Sequence, residues 1–270
     1  MIDEIIHGDC LEVMKEMPEG IIDLTVTSPP YDNLRTYEGY EFDFEGIAEQ
    51  LYRVTKPGGV VVWVVGDATV KGSETGTSFR QALYFKDIGF NLHDTMIYQK
   101  NSYPFPPSNR YYQQFEYMFV FSKGRPKTAN ILRQPTDPRW RKKNNASSSQ
   151  RNKDGSVRKL EGETGMDDRK MDNVWLLNAG YMKGTPDKIA FSHPATFPDT
   201  LAGRHILTWS NPGDLVLDPM CGSGTTCKMA AINNRRYIGI DISEKYVNIA
   251  RERIRKHTQQ MSIERLLQEV

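Results

Sequence analysis

Leu215-Val216-Leu217-Asp218-Pro219-Met220-Cys221-Gly222-Ser223-Gly224-Thr225-Thr226 reads as an apolar strand, an acidic turn and a Gly-x-Gly loop that leads into a helix. One βα unit later, residues 237–240 read as a second strand, which runs into Asp241. Strand ends of this kind are where a doubly wound sheet binds its ligands. Gly222 and Gly224 carry no Cβ, so backbone can approach a ligand closely there, and the helix start offers free N–H groups. The loop lacks the third glycine of the dinucleotide fingerprint and the Gly-Lys-[Ser/Thr] of a P-loop. The ligand it suits is a nucleoside without phosphate. Asp241 is placed to accept hydrogen bonds from both hydroxyls of a ribose diol.

Outward from that loop, apolar strand-like runs alternate with amphipathic helical stretches, the pattern of βα units in a mostly parallel sheet. Strands are predicted at 4–8, 21–27, 60–65, 92–98, 115–121, 215–217 and 237–240. Helices are predicted at 11–17, 46–54, 79–88, 200–209, 225–232 and 244–256, with 259–270 as peripheral helix. Ile47, Leu51 and Val54 fall at helical spacing ahead of Pro57-Gly58-Gly59. Residues 60–65 are mostly β-branched and show no alternation, as a fully buried strand should. Between Ser122 and about Asp172 the pattern gives way to polar and basic sequence, read as a variable insert.

With 270 residues, the chain can bury roughly three quarters of its unfolded surface. Its 38% hydrophobic and 26% charged content excludes disordered, collagen-like and membrane classes. Asp3, Glu4, His7 and Asp9 stand where a signal peptide would be apolar, so a cytoplasmic location is expected. Cys10, Cys221 and Cys227 form no CxxC spacing, so neither a disulfide framework nor a metal site is expected. Thirty-five basic residues against 34 acidic ones give a net charge of +1. That near-neutrality is a cancellation. Residues 139–159 hold eight basic side chains and one acid, a charge of +7, which leaves 27 basic and 33 acidic residues elsewhere, or −6. The window has almost no apolar residue, and it reads as a mobile arm that binds phosphates and orders on its partner.

Asp218-Pro219-Met220-Cys221-Gly222-Ser223-Gly224-Thr225 resembles the S-adenosylmethionine loop of the amino-group DNA methyltransferases, in which Asp-Pro-x-x-Gly-x-Gly-Thr recurs. Thr27-Ser28-Pro29-Pro30-Tyr31 follows a second apolar strand and is similar to that family's catalytic turn. Its prolines make the turn stiff and offer no N–H of their own. Such a turn suits the chemistry. An exocyclic amine has its lone pair delocalised into the ring, and acceptors at the Ser28 side chain and the Pro29 carbonyl would hold the nitrogen closer to tetrahedral. Tyr31 offers a face on which a base rotated out of the duplex could stack. Methylation at cytosine carbon 5 would need a Pro-Cys nucleophile, and the three cysteines follow Asp9, Met220 and Thr226.

The catalytic turn precedes the cofactor loop with the basic segment between, an order that resembles the β class of these enzymes. The resemblance implies a doubly wound, mostly parallel, seven-stranded α/β sheet of the Rossmann-like methyltransferase type. It divides the chain into a catalytic half (1–122), a target-recognition insert (123–175) and a cofactor-binding half (176–270). It assigns Ser28, Pro29, Pro30 and Tyr31 to catalysis, and Asp9, Cys10, His193, Phe197, Asp218, Pro219, Cys221, Gly222, Gly224, Thr225 and Asp241 to S-adenosylmethionine. Asp9 reads equally as a helix N-cap. Arg35, Lys100, Ser108, Arg110, Arg141, Lys142 and Lys143 are assigned to double-stranded DNA. Ser-Pro-Pro-Tyr correlates in the family with N4-cytosine, so a site-specific N4-cytosine DNA methyltransferase is expected. Adenine N6 is the first alternative, a non-catalytic DNA-binding relative the second, and a protein or RNA N-methyltransferase the third. A homodimer and a cognate restriction endonuclease are further implications.

Overall fold

The computed structural model describes residues 1–30, 42–101, 106, 108–137, 148–160 and 167–268. Among them the order is β1 (Glu4–His7), α1 (Cys10–Lys15), β2 (Ile22–Thr27), α2 (Phe44–Val54), β3 (Thr55–Val65), β4 (Thr69–Val70), β5 (Ser73–Glu74), α3 (Thr77–Asp87), β6 (Asn91–Lys100) and β7 (Phe115–Ser122). There follow β8 (Arg133–Pro135), β9 (Ser148–Arg151), β10 (Val157–Leu160), β11 (Asp168–Lys170), β12 (Val174–Leu177), a 3-10 turn (Lys188–Ser192), α4 (Asp199–Trp209), β13 (Leu215–Asp218), α5 (Thr225–Ile232), β14 (Arg236–Asp241) and α6 (Glu244–Gln268).

Eight strands form one sheet in the order β1-β14-β13-β2-β3-β7-β6-β12, and every neighbouring pair is parallel except those made by β7. Chain order reverses on either side of β13 and β2, which is where such a sheet opens a ligand crevice. The seven expected strands are all present. β12 adds an eighth at the edge, paired in parallel with β6. Its Val174 and Leu176 are exposed while Trp175 and Leu177 are buried, a four-residue alternation too short to stand out in the sequence.

All six residues from Val60 to Val65 are buried, because helices cover the sheet on both faces. Val61, Trp63 and Val65 pack with Ile47, Leu51 and Val54 of α2 and Phe85 of α3. In β1, Ile6 joins that layer while Ile5 packs with Cys227, Val247, Ala250 and Ile254 on the other side, the two-residue period of a strand. Asp43 starts α2 by accepting the Gly46 N–H at 3.0 Å.

Residues 131–172 form a compact unit of their own. Its described part contains two antiparallel pairs, β8 with β11 and β9 with β10. The expectation of a structureless arm is therefore corrected for residues 148–160. Polar bonds shape the β9–β10 turn, since Asp154 accepts the Ser156 N–H and O–H at 2.9 and 2.6 Å while Gly155 takes a φ of +85°. Arg151, Lys153 and Arg158 are exposed on this hairpin. Among the described residues no helix is long and apolar enough to cross a membrane.

Candidate active site

The carboxyl ends of β13, β14, β1 and β2 converge, and hydrogen bonds between their loops set the site. Gly222 and Gly224 take φ of +49° and +78°, which lets the chain turn tightly with Gly224 N–H bonded to the Cys221 carbonyl at 2.7 Å. Asp241 spans two loops. One carboxylate oxygen accepts the Gly222 N–H at 2.8 Å and the other the Ser243 N–H at 2.9 Å. Each oxygen keeps a further lone pair for a ligand hydroxyl. Burial raises the Asp241 pKa against those hydrogen bonds and the nearby His7.

Asp218 stands differently. It is 1% exposed and accepts the Thr27 hydroxyl at 2.8 Å and the Met220 N–H at 3.3 Å. Burial outweighs the hydrogen bonds it accepts from Thr27 and Met220 and lifts its carboxyl to about 7. Thr226 donates to the Val26 carbonyl at 3.0 Å, so two hydroxyls tie the strand end ahead of Ser28-Pro29-Pro30 to the strand and helix that carry the glycine loop.

A cavity of about 970 Å³ lies above these loops, at the upper end of small-molecule sites. Asp9, Cys10, Ser28, Pro29, Pro30, Lys100, His193, Phe197, Pro219, Cys221, Gly222, Thr225 and Asp241 all line it. The sequence assigns these to catalysis, cofactor and DNA, and the fold brings them to one space. Asp218 and Gly224 are not on its wall. Asp218 acts on the loop from beneath, and Gly224 packs so tightly on Ala250 that a Cβ would lie 2.6 Å from the Ala250 Cβ. Asp9 caps α1 through the Leu11 N–H at 2.7 Å, so the N-cap reading holds, and it also lines the cavity.

His193 lies against Gly222, where a Cβ would meet its Nε2 at 2.8 Å. Its Nδ1 accepts the Ala195 N–H at 3.1 Å, and its ring meets Tyr246 edge-on at 4.4 Å. At the other end of the cavity, Lys100 pairs with Glu116 at 2.6 Å. Ser108 is exposed, and Arg110 is engaged by Glu74 at 3.7 Å and by the Gly72 carbonyl. Tyr31, Arg35, Arg141, Lys142 and Lys143 lie outside the described residues. Sequence reasoning missed Asp67, Tyr98, Tyr181, Phe191 and Tyr246 on the cavity wall. Nothing in a motif marks them, because only tertiary packing points them inward.

All three cysteines are buried and free. Burial pushes the Cys10 thiol up to about 12, and it holds Cys221 and Cys227 well above the ordinary thiol range. Among the described residues no cluster of His, Cys, Asp or Glu could hold a metal ion.

The N6/N4 DNA methylase family model matches residues 22–252. An orphan methyltransferase, M.BamHII of Bacillus amyloliquefaciens, is 58% identical over 244 residues, covering 87% of this chain and 89% of its own. The type II methyltransferase M.SmaI of Serratia marcescens is 27% identical, covering 93% and 90%. Among solved structures, the Thermus thermophilus DNA modification methylase TTHA0409 complexed with S-adenosyl-L-methionine is similar at 25% identity and a TM-score of 0.63, covering 94% and 93%. The cytosine-N4-specific PvuII DNA methyltransferase shares the fold at a TM-score of 0.67 and 22% identity, covering 92% and 85%.

Proposed function

This chain belongs to the N6/N4 DNA methylase family, and from that premise we propose that it transfers a methyl group from S-adenosylmethionine to the N4 amine of a cytosine flipped out of duplex DNA. One observation carries this reading: Ser28 and Pro29 share a cavity with the glycine loop and Asp241. S-adenosylmethionine supplies an electrophilic methyl group on a sulfonium. The residues fit it, since Gly222 puts no Cβ into the cavity, Asp241 suits a ribose diol and the Asp9 loop lines the same wall. His193 and Phe197 close the other side.

At the catalytic turn, the Ser28 oxygen and the Pro29 carbonyl accept the two amine hydrogens and aim the nitrogen lone pair at the methyl carbon. Bound there, the sulfonium would supply the methyl group and keep the C–S electron pair, while Ser28 and Pro29 would hold the amine whose proton is lost to solvent. Direct transfer agrees with the cysteines, none of which follows a proline and all of which are buried. Tyr31 stacks the flipped base and so replaces part of the stacking lost from the duplex. Lys100 with Glu116 borders the base, and the basic 139–159 window, together with Arg35, Ser108 and Arg110, contacts the backbone.

Duplex DNA is incubated with methyl-labelled cofactor, digested to nucleosides and separated. N4-methylcytosine is the expected product. N6-methyladenine alone would overturn the choice of base, and no labelled nucleoside from any duplex would overturn the catalytic reading.

A further inference from the structure

The cavity wall that carries His193, Pro194, Ala195, Thr196 and Phe197 is a strap bounded by two acids, Asp187 before it and Asp199 after it. Both ends run into the same two cations. Lys228 of α5, with a side chain only 2% exposed, donates to Asp187 at 2.8 Å and to Asp199 at 2.5 Å. Arg253 of α6, fully buried, donates to Asp187 at 3.1 Å and to Asp199 at 3.4 Å. Arg253 also reaches the glycine loop from below. Its Nη1 donates to the Ser223 carbonyl at 2.6 Å, the Ser223 hydroxyl at 3.0 Å and the Thr225 hydroxyl at 3.2 Å. His257 completes the knot at its outer edge, 2.9 Å from Asp187.

Two carboxylates against two cations leave no net charge here when His257 is neutral. Such a buried group adds little stability over an apolar core of the same volume, whereas removing one member is costly. What it supplies is fixed geometry. Burial would raise the Asp187 pKa, but hydrogen bonds from Lys228 and His257 hold it well below the usual carboxylate range, so this end of the strap stays anionic. The gap it controls has little slack, because a Cβ on Gly222 would already lie 2.8 Å from His193 Nε2.

We propose that Lys228 and Arg253 are positioning residues for the cofactor: as a pair they fasten both ends of the 187–199 strap to the glycine loop and set the width of the cleft between His193 and Gly222. The inference rests on reading this cavity as the S-adenosylmethionine site. Neither residue touches the reacting atoms, so the effect belongs in cofactor affinity rather than in the chemical step.

The full chain is tested as wild type, Lys228→Met and Lys228→Arg, with thermal unfolding, calorimetric titration of S-adenosylmethionine and steady-state kinetics on duplex DNA. Lys228→Met is expected to raise cofactor Kd and KM at least ten-fold and to leave kcat at saturating cofactor within three-fold. Lys228→Arg, which keeps the charge, should restore most of the affinity. If Lys228→Met does not fold, Asp199→Asn keeps an oxygen acceptor, removes the charge from one end and should weaken cofactor binding three- to ten-fold. An unchanged cofactor Kd in the folded variants, or a fall in kcat with KM unmoved, would overturn the positioning role. A wild type that fails to bind S-adenosylmethionine would instead overturn the reading of the cavity itself.

Discussion

Replacing Asp218 with Asn should make the protein more stable at alkaline pH while leaving it nearly unchanged in mild acid. Asp218 is 1% exposed, and burial raises its carboxyl from 3.8 to about 7. A group whose folded pKa lies above its unfolded value contributes stability that is fully present below the unfolded pKa. That contribution is lost as pH rises through the folded pKa. The window therefore opens near pH 4 and closes just above pH 7. At about 1.4 kcal/mol for each pH unit separating the folded and unfolded pKa, the ionised carboxylate weakens the fold by on the order of 4 kcal/mol at pH 8. Asn mimics the neutral acid, and its oxygen can still accept the Thr27 hydroxyl and the Met220 N–H. Urea unfolding of both proteins from pH 5 to 8.5, followed by tryptophan fluorescence, would measure the difference. The opposing titration of Asp187, whose lowered pKa makes its contribution disappear in acid, is common to both and cancels. Parallel pH profiles, or an Asn variant less stable than wild type at pH 8, would refute the assignment of a neutral buried acid under the loop.

Three further outcomes follow from the geometry. Asp241→Ala removes the acceptor of the Gly222 and Ser243 N–H groups and should weaken S-adenosylmethionine by roughly 10- to 100-fold, as loss of charged hydrogen bonds does. Duplex affinity should stay near normal, and Tyr31→Ala should show the reverse; equal loss of cofactor affinity in both variants would contradict the division of roles. Gly224→Ala would force a Cβ to 2.6 Å from the Ala250 Cβ at a φ of +78° and should destabilise the fold by about 2–3 kcal/mol in denaturant titration. Pairing it with Ala250→Gly should recover the steric share alone. Duplex binding should fall steeply with salt, and neutralising Arg141, Lys142 and Lys143 should flatten the plot of log K against log salt by about 0.9 for each phosphate that is no longer neutralised. An unchanged slope would show that these three side chains neutralise no phosphate.

Strand and helix positions in the sheet were legible because each rests on local chemistry: β-branched runs, apolar residues at helical spacing, and glycines where the chain must turn. That Gly222, Asp241 and Ser28-Pro29-Pro30 lie at strand ends facing one cavity was legible for the same reason, since each follows an apolar strand and the loop and turn residues are glycine and proline. Other features depend on groups far apart in the chain. Nothing local in residues 115–122 says that β7 runs antiparallel, or that Val174–Leu177 extends the sheet past it. The 148–160 hairpin was hidden because its turn is held by polar side chains that a hydropathy pattern reads only as solvated.

By itself, the sequence determined the family and which strand ends face the cavity. The fold alone decided that Asp218 serves the glycine loop from below, that Tyr246 faces the cavity, and that Lys228 and Arg253 bind both ends of the strap. The physical reason is burial. A carboxylate or an ammonium is an ordinary surface group until the chain closes over it, and its partners and role are then set by atoms 41 to 191 residues away.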